Sequence, residues 1–317
     1  MKQQIVKIFN AYWLKEYIML LRYYKFSFSP RKKEMLISVI DTRRNCQGLA
    51  DRFKGIISIY ALSKALEMEF RCIYTHPFQL TNYLIPNEYN WLPKKDEISN
   101  SIKNVRFRIL RKELTLKRLI RVFPTKKQWQ IYANVDYIEE INRTYNKEFQ
   151  WGILFHELFK PTEELEQQIQ YQLSQIKGQE FIACGFRFQS MLGDFNEYNA
   201  KSLSEIEKEI LIEKNITALK EVVDNVNCPV LVTSDSTTFL SRAERLDKVF
   251  TLPGKIVHVD CVIDEQKEVY MKLFVDFFML SNAKKVYSIG TKKMYPTNFP
   301  VYAAKINNIP FERIIID

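Results

Sequence analysis

One arginine stands out by its position. The stretch from Phe181 to Asp194, FIACGFRFQSMLGD, reads as a buried strand that turns polar just where it presents Arg187. A guanidinium is always charged, and its rigid fork of donors matches phosphate and carboxylate oxygens. Two uses fit this placement: a clamp for an anionic ligand, or a structural ion pair with Asp194 or another acid. Two hydroxyl-rich stretches share the arrangement. Ser234, Asp235, Ser236, Thr237 and Thr238 follow one apolar run, while Ser288, Gly290, Thr291, Thr297 and Asn298 follow another. Amides and hydroxyls that open a helix favour negative charge, so these loops suit phosphate oxygens. They equally suit ordinary caps and turns.

Other chemistries find little support. There is no GxGxxG or GxxxxGK[ST] run, and no serine nucleophile elbow. His76, His156 and His258 are far apart and lack metal-ligand spacing. No paired-carboxylate loop is present, so Asp235 is expected to accept hydrogen bonds rather than hold a metal. The five cysteines (Cys46, Cys72, Cys184, Cys228 and Cys261) are odd in number and without CxxC spacing, as expected of reduced thiols.

The elements that must position these groups alternate in type. Residues 3–25 lack Pro and Gly, and they place Gln3, Gln4, Lys7, Asn10, Lys15, Arg22 and Lys25 on one helical side. Ile5, Phe9, Tyr12, Trp13, Leu20 and Tyr24 occupy the rest. Such a helix either lies in a membrane interface or packs on the domain that follows. Residues 35–40 form a continuously apolar strand of the buried parallel type. A loop over 41–50, a helix over about 51–66 and a strand at 70–74 complete a βαβ unit. Residues 103–127 are expected to be helical in part.

After a junction near 159–163 the alternation resumes. A strand is expected at 180–188, then a helix opened by the capping box of Ser204 and Glu207. Further strands are expected at 229–233 and 285–289, with helices at 265–280 and 299–307. The resulting division is residues 1–33 as a basic amphipathic helix, 34–160 as a first Rossmann-like domain and 161–317 as a second. The last helix belongs either to its own domain or against the first. Ligands are expected at the carboxyl ends of the strands.

The chain has 317 residues, 46% of them apolar, and a formal charge of +10. Residues 1–33 hold eight Lys/Arg against Glu16, and residues 103–127 hold ten against Glu113, so the remainder is net acidic. A patchy charge suits an anionic membrane, an anionic acceptor or nucleic acid. The basic residues belong to no recognisable nucleic-acid recognition motif, which makes a nucleic-acid-binding module the weakest reading. No apolar run reaches the roughly 18–20 residues that span a bilayer, and no cleavable leader is evident. The expectation is a cytoplasmic protein, either soluble or peripheral on the inner face of the membrane.

Four places resemble the fucosyltransferase superfamily of GT-B glycosyltransferases, which includes nodulation-type α1,6-, xyloglucan-type α1,2- and protein O-fucosyltransferases. Residues 45–53, NCQGLADRF, are similar to the first-strand glycine loop of that family. CGFRF at 184–188 resembles its His-x-Arg strand, with Arg187 at the arginine. TSDS at 233–236 resembles the second motif. Residues 277–285, Ser288 and residues 299–304 resemble the third. Two positions depart from the pattern. Gly185 stands at the histidine, and Asp194 lies seven residues after Arg187 where the family has an acid three after it.

The resemblance implies two Rossmann-like domains with parallel sheets facing an interdomain cleft. It also implies a GDP-sugar held mainly by the second domain, a glycan acceptor held by the first, and inversion at the anomeric carbon without a metal. On this likeness the donor contacts are Asn45, Gly48, Arg187, Asp235, Ser236, Thr237, Ser288, Thr291 and Phe299. Arg187 and the hydroxyls would offset charge on the departing diphosphate. Asp51 would contact the reacting centre, or else serve as an acid at the start of its helix. The acceptor could be free or lipid-linked, the donor GDP-fucose or another nucleotide sugar.

Overall fold

Met35–Ile40 is strand β1, buried at every residue, as a run apolar but for Ser38 requires of a strand covered on both faces. The computed structural model describes residues 12–27, 30, 32–41, 48–110, 127–194, 202–256, 259 and 267–317. These fall into two compact units, one of residues 1–80 and 85–160, the other of residues 81–84 and 161–317. Residues 81–84 join the second because Tyr83 stacks on Phe274, ring centroids 4.3 Å apart, and donates to the Lys267 carbonyl.

In the first unit, helix α1 (Tyr12–Tyr23) precedes β1, and α2 (Leu49–Ala65) returns the chain to β2 (Glu69–Tyr74). After β3 (Leu84–Pro86) come β4 (Val105–Leu110) and β5 (Gln128–Ala133), and the wholly parallel sheet runs β2-β1-β5-β4. Gly55 lets α2 lie on this sheet, since a β-carbon there would sit 1.8 Å from the Ala133 carbonyl oxygen. The expectation of helix within 103–127 is corrected over 105–110. Val105, Phe107 and Ile109 are buried while Arg106 and Arg108 are half-exposed, which is the period of two of a strand. Residues 111–126 lie outside the described residues, as do 3–11 of the expected amphipathic helix.

Helices α3 (Ile138–Tyr145) and α4 (Trp151–Leu158) follow, then β6 (Phe159–Pro161), which pairs with β3. Phe53 of α2 packs edge-on to Phe155 and against Phe159, a cluster that Trp91 joins.

The second unit begins with α5 (Glu163–Gln175), capped by the Thr162 hydroxyl. Its sheet has β7 (Ile182–Phe186) at the centre. Helix α6 (Glu205–Asp224) opens with the Ser204–Glu207 capping box and leads to β8 (Val230–Ser234). Helix α7 (Thr237–Ala243), β9 (Val249–Phe250), α8 (Lys267–Ser281), β10 (Val286–Thr291), α9 (Phe299–Ile306) and β11 (Phe311–Ile316) complete it. The order is β11-β10-β7-β8-β9, again wholly parallel. From β7 the chain moves outward to β8 and β9, then returns to β10 on the other side. The strand order therefore reverses between β7 and β10, where open α/β sheets leave a crevice for ligands. Cys72, Cys184 and Cys228 are free thiols, while Cys46 and Cys261 lie outside the described residues. Among the described residues no helix is long and apolar enough to cross a membrane.

Candidate functional site

Strand alternation sorts the end of β7 onto two faces. Cys184 and Phe186 enter the core beneath α6 and α7, where Phe186 and Phe188 both pack on Phe239. Gly185 takes the opposite face, and Arg187 follows it beyond the strand end. There its Nη1 meets Oδ2 of Asp235, from the loop after β8, at 2.9 Å. The same carboxylate accepts the amides of Phe188 and Gln189, each at 2.7 Å. Gln189 has φ 55°, the left-handed region that a non-glycine residue occupies at a cost, so the Asp235 bonds hold a strained turn. Burial pushes the Asp235 carboxyl up from its ordinary value, against the pull of the Arg187 charge and the two amides. With three donors aimed at it, the group works as the anion. The acid beside Arg187 is thus Asp235 and not Asp194.

Asp194 has another position. Its Oδ2 accepts from the Ser236 hydroxyl at 2.8 Å, the Thr237 hydroxyl at 3.2 Å and the Thr238 amide at 2.8 Å. Burial would raise this carboxyl, but the Thr238 amide and the hydroxyls outweigh it and hold the group below the ordinary carboxylate range. The start of α7, expected from sequence to seat a phosphate, already holds a protein carboxylate. Ser236 and Thr237 therefore serve Asp194, and Ser236 additionally caps the helix through the Phe239 amide at 3.1 Å. A carboxylate at a helix start obeys the electrostatics invoked for phosphate, so the chemistry was legible and its owner was not.

Across the second sheet, Thr233, Gly185, Ser288 and Arg313 stand in register on adjacent strands. Thr233 and Ser288 are buried, and neither hydroxyl has a hydrogen-bond partner among the described residues. Helix α9 begins over this row. A β-carbon on Gly185 would lie 2.5 Å from Cγ of Pro300, so the proline fills the space in which the family pattern has a histidine. Arg313 donates from Nη2 to the Thr297 carbonyl at 2.7 Å, tying β11 to the loop that enters α9. Thr233 and Arg313 were not singled out from sequence as site residues. Their signal is register, which needs the strand order.

Thr291 is not part of this row. It shares a face with Ile289, Ile314 and Ile316, which pack on the core below α6, and its amide contacts the Met294 sulfur at 3.4 Å. Its buried hydroxyl has no hydrogen-bond partner among the described residues. Phe299, first residue of α9, packs its ring on Phe277 with centroids 5.0 Å apart, and its amide is taken by the Thr297 hydroxyl.

In the first unit, Gly48 is the N-cap of α2 with an ordinary extended backbone, φ −64°. Asp51 lies in the first turn and is ion-paired with Lys54. The pairing fits a first-turn acid and leaves the contact with a reacting centre as the other reading of Asp51. Asn45 lies outside the described residues. Arg52, which the sequence reading passed over, is wholly buried and donates to the His76 carbonyl at 2.5 Å.

No protein-family model matches the chain, and no curated protein matches it in sequence. Solved structures do match. An FUT1 mutant from Arabidopsis thaliana in complex with GDP superposes with a TM-score of 0.58 over 96% of this chain and 75% of that one, at 10% identity. The fucosyltransferase NodZ from Bradyrhizobium gives 0.53 over 86% and 92%, at 13% identity. POFUT1 in complex with GDP gives 0.51 over 90% and 99%, at 10% identity. The chain has the fold of these fucosyltransferases. The GT-B architecture expected from the sequence is thus the observed fold class. At these identities the fucosyltransferase likeness lies in the arrangement of elements rather than in shared side chains.

Proposed function

We propose that the chain is a glycosyltransferase that moves fucose from GDP-fucose to a glycan acceptor in surface-polysaccharide synthesis, at the inner face of a membrane. The observation that carries this reading is Arg187. It stands oriented by Asp235 at the switch point of the second sheet, in a fold whose solved members include complexes with GDP. The reaction is inversion at the anomeric carbon without a metal. An acceptor hydroxyl attacks from the side opposite the diphosphate, the bond to the acceptor oxygen forms, and the bond to GDP breaks as the hydroxyl proton leaves.

The difficulty in this step is negative charge gathering on the leaving diphosphate. Arg187 answers it with a fixed cation, and the hydroxyls of Ser288 and Thr233, in register with Gly185 and unpaired among the described residues, are neutral donors on the same face of the sheet. Asp235 acts through Arg187 as a positioning residue, and Phe299 borders the site from the start of α9. Ser236 and Thr237 support the same loop through Asp194. Asn45 and Gly48 are proposed as donor contacts and Asp51 as the contact with the reacting centre.

Melting the protein in EDTA with a panel of nucleotides and nucleotide sugars tests this. GDP and GDP-fucose are expected to raise the melting temperature. Saturation at a hundred times Kd corresponds to about 2.7 kcal/mol. Release of fucose from GDP-fucose should follow. A response to UDP- or CMP-sugars alone would replace the donor with another nucleotide sugar. Salt-dependent binding of nucleic acid with no nucleotide-sugar response would replace the enzyme with a binding module.

A further inference from the structure

Helix α1 turns one side to the first sheet and leaves Tyr17, Ile18 and Leu21 exposed on the other. On the inner side, Glu16 accepts the Ile109 amide at 2.9 Å and Nη1 of Arg108 at 3.2 Å, and just past the helix Tyr24 donates to Gln130. On the outer side Tyr17, Ile18 and Leu21 are 55%, 46% and 57% exposed, and Phe26 beyond the helix is 70% exposed. An isolated apolar residue on a surface is ordinary, whereas four gathered on and beside one helix mark a contact surface.

The charge around that surface is assembled by tertiary structure. The Lys25 amide donates to the Asn100 carbonyl at 2.8 Å, and the Lys25 carbonyl accepts the Ile102 amide at 3.0 Å. This bridge brings Lys103 over the Phe26 ring at 5.0 Å. Lys25 and Lys103, some eighty residues apart in sequence, thereby come to one edge of the unit, with Arg22, Lys25 and Lys103 all exposed. Glu16, the acid of residues 1–33, is turned inward and engaged by Arg108.

We infer that the outer face of α1, with Phe26 and Lys103, docks on an anionic phospholipid bilayer. Aliphatic Ile18 and Leu21 beside Tyr17 and Phe26 suit the boundary between headgroups and acyl chains, and flanking cations suit the phosphates above it. Nucleic acid would reward the cations and aromatic rings but gives aliphatic knobs no comparable place. The inference extends the membrane side of the proposed function and rests on none of its sugar chemistry, so vesicle binding and nucleotide binding can fail separately.

The test is co-sedimentation of the full chain with phosphatidylcholine vesicles, with and without phosphatidylserine. Binding is expected only with phosphatidylserine, weakening as salt rises. Ile18→Glu/Leu21→Glu should lower partitioning by at least about tenfold, and Lys103→Glu by about fivefold or more. Phe26→Ser, outside the helix, should act in the same direction. The circular dichroism spectrum and the melting temperature should be unchanged in each variant, which shows that the variants fold. No binding to either vesicle, or equal binding by the variants, would overturn the inference. A monomer released from a dimer by Ile18→Glu/Leu21→Glu would do so as well, by assigning the face to a second copy of the chain.

Discussion

Arg187 and Asp235 form a 2.9 Å ion pair between the ends of β7 and β8, and the same carboxylate holds the amides of Phe188 and Gln189. One acid therefore sets both the direction of the cation and the turn that follows it. Asp235→Asn leaves the cation without its counter-charge and can turn an amide N–H toward a backbone N–H. Stability is expected to fall by about 3–5 kcal/mol. Denaturant unfolding should show a lower midpoint at unchanged slope.

Arg187→Lys separates charge from shape at the same place. A lysine keeps the positive charge near Asp235 but loses the planar fork. The variant should remain folded while turnover with GDP-fucose falls by about 10²–10³-fold. Wild-type kinetics in this variant would reduce Arg187 to its structural pair.

Gly185 has no room for a side chain, because Pro300 of α9 occupies the space. Gly185→Ala should destabilise by about 1–3 kcal/mol through overpacking. Adding Pro300→Ala removes the clashing Cγ and should recover most of the loss, a coupling that a double-mutant cycle in denaturant would reveal.

Asp194 supplies a pH dependence of known sign. Its carboxyl is held below the ordinary range by the start of α7, so the folded state favours the ionised form. Its contribution is full above the unfolded carboxylate value and is lost as pH falls through the lower folded value. Asp194→Asn should cost about 1 kcal/mol at neutral pH, as loss of a helix cap does. The gap to wild type should close on acidification, seen as converging melting temperatures.

Glu16 pins α1 to the edge strand β4. Glu16→Ala strands the Ile109 amide and removes the Arg108 pair, at a cost of about 1–3 kcal/mol. Glu16→Gln keeps an acceptor for the amide and loses only charge. Hydrogen exchange over residues 12–23 should be fastest in the alanine variant and intermediate in the glutamine one.

The strands legible in advance were those whose burial is written in composition. Residues 35–40 are apolar but for Ser38, residues 230–232 are an unbroken apolar run, and β7 ends where its residues turn polar. Strand β5 was not legible, because its core positions include Gln128 and Gln130. Each is satisfied by distant groups: Gln128 by the Ser99 amide and Glu97 carbonyl, Gln130 by Tyr24 and the Ser99 carbonyl. In β4 arginines alternate with apolar residues, and in β11 Glu312 and Arg313 interrupt them; the basic run around β4 imitated a solvated helix.

Sequence by itself determined that parallel α/β units would present an arginine at the end of a core strand, since a buried apolar run needs paired strands and covering helices on both faces. It also determined that a negative charge would favour the start of α7. Which charge sits there was decided by tertiary structure, which delivered Asp194 to Ser236 and Thr237 and Asp235 to Arg187. Counter-ion choice depends on distances of a few ångströms between residues some forty positions apart, and only strand order and register set those distances.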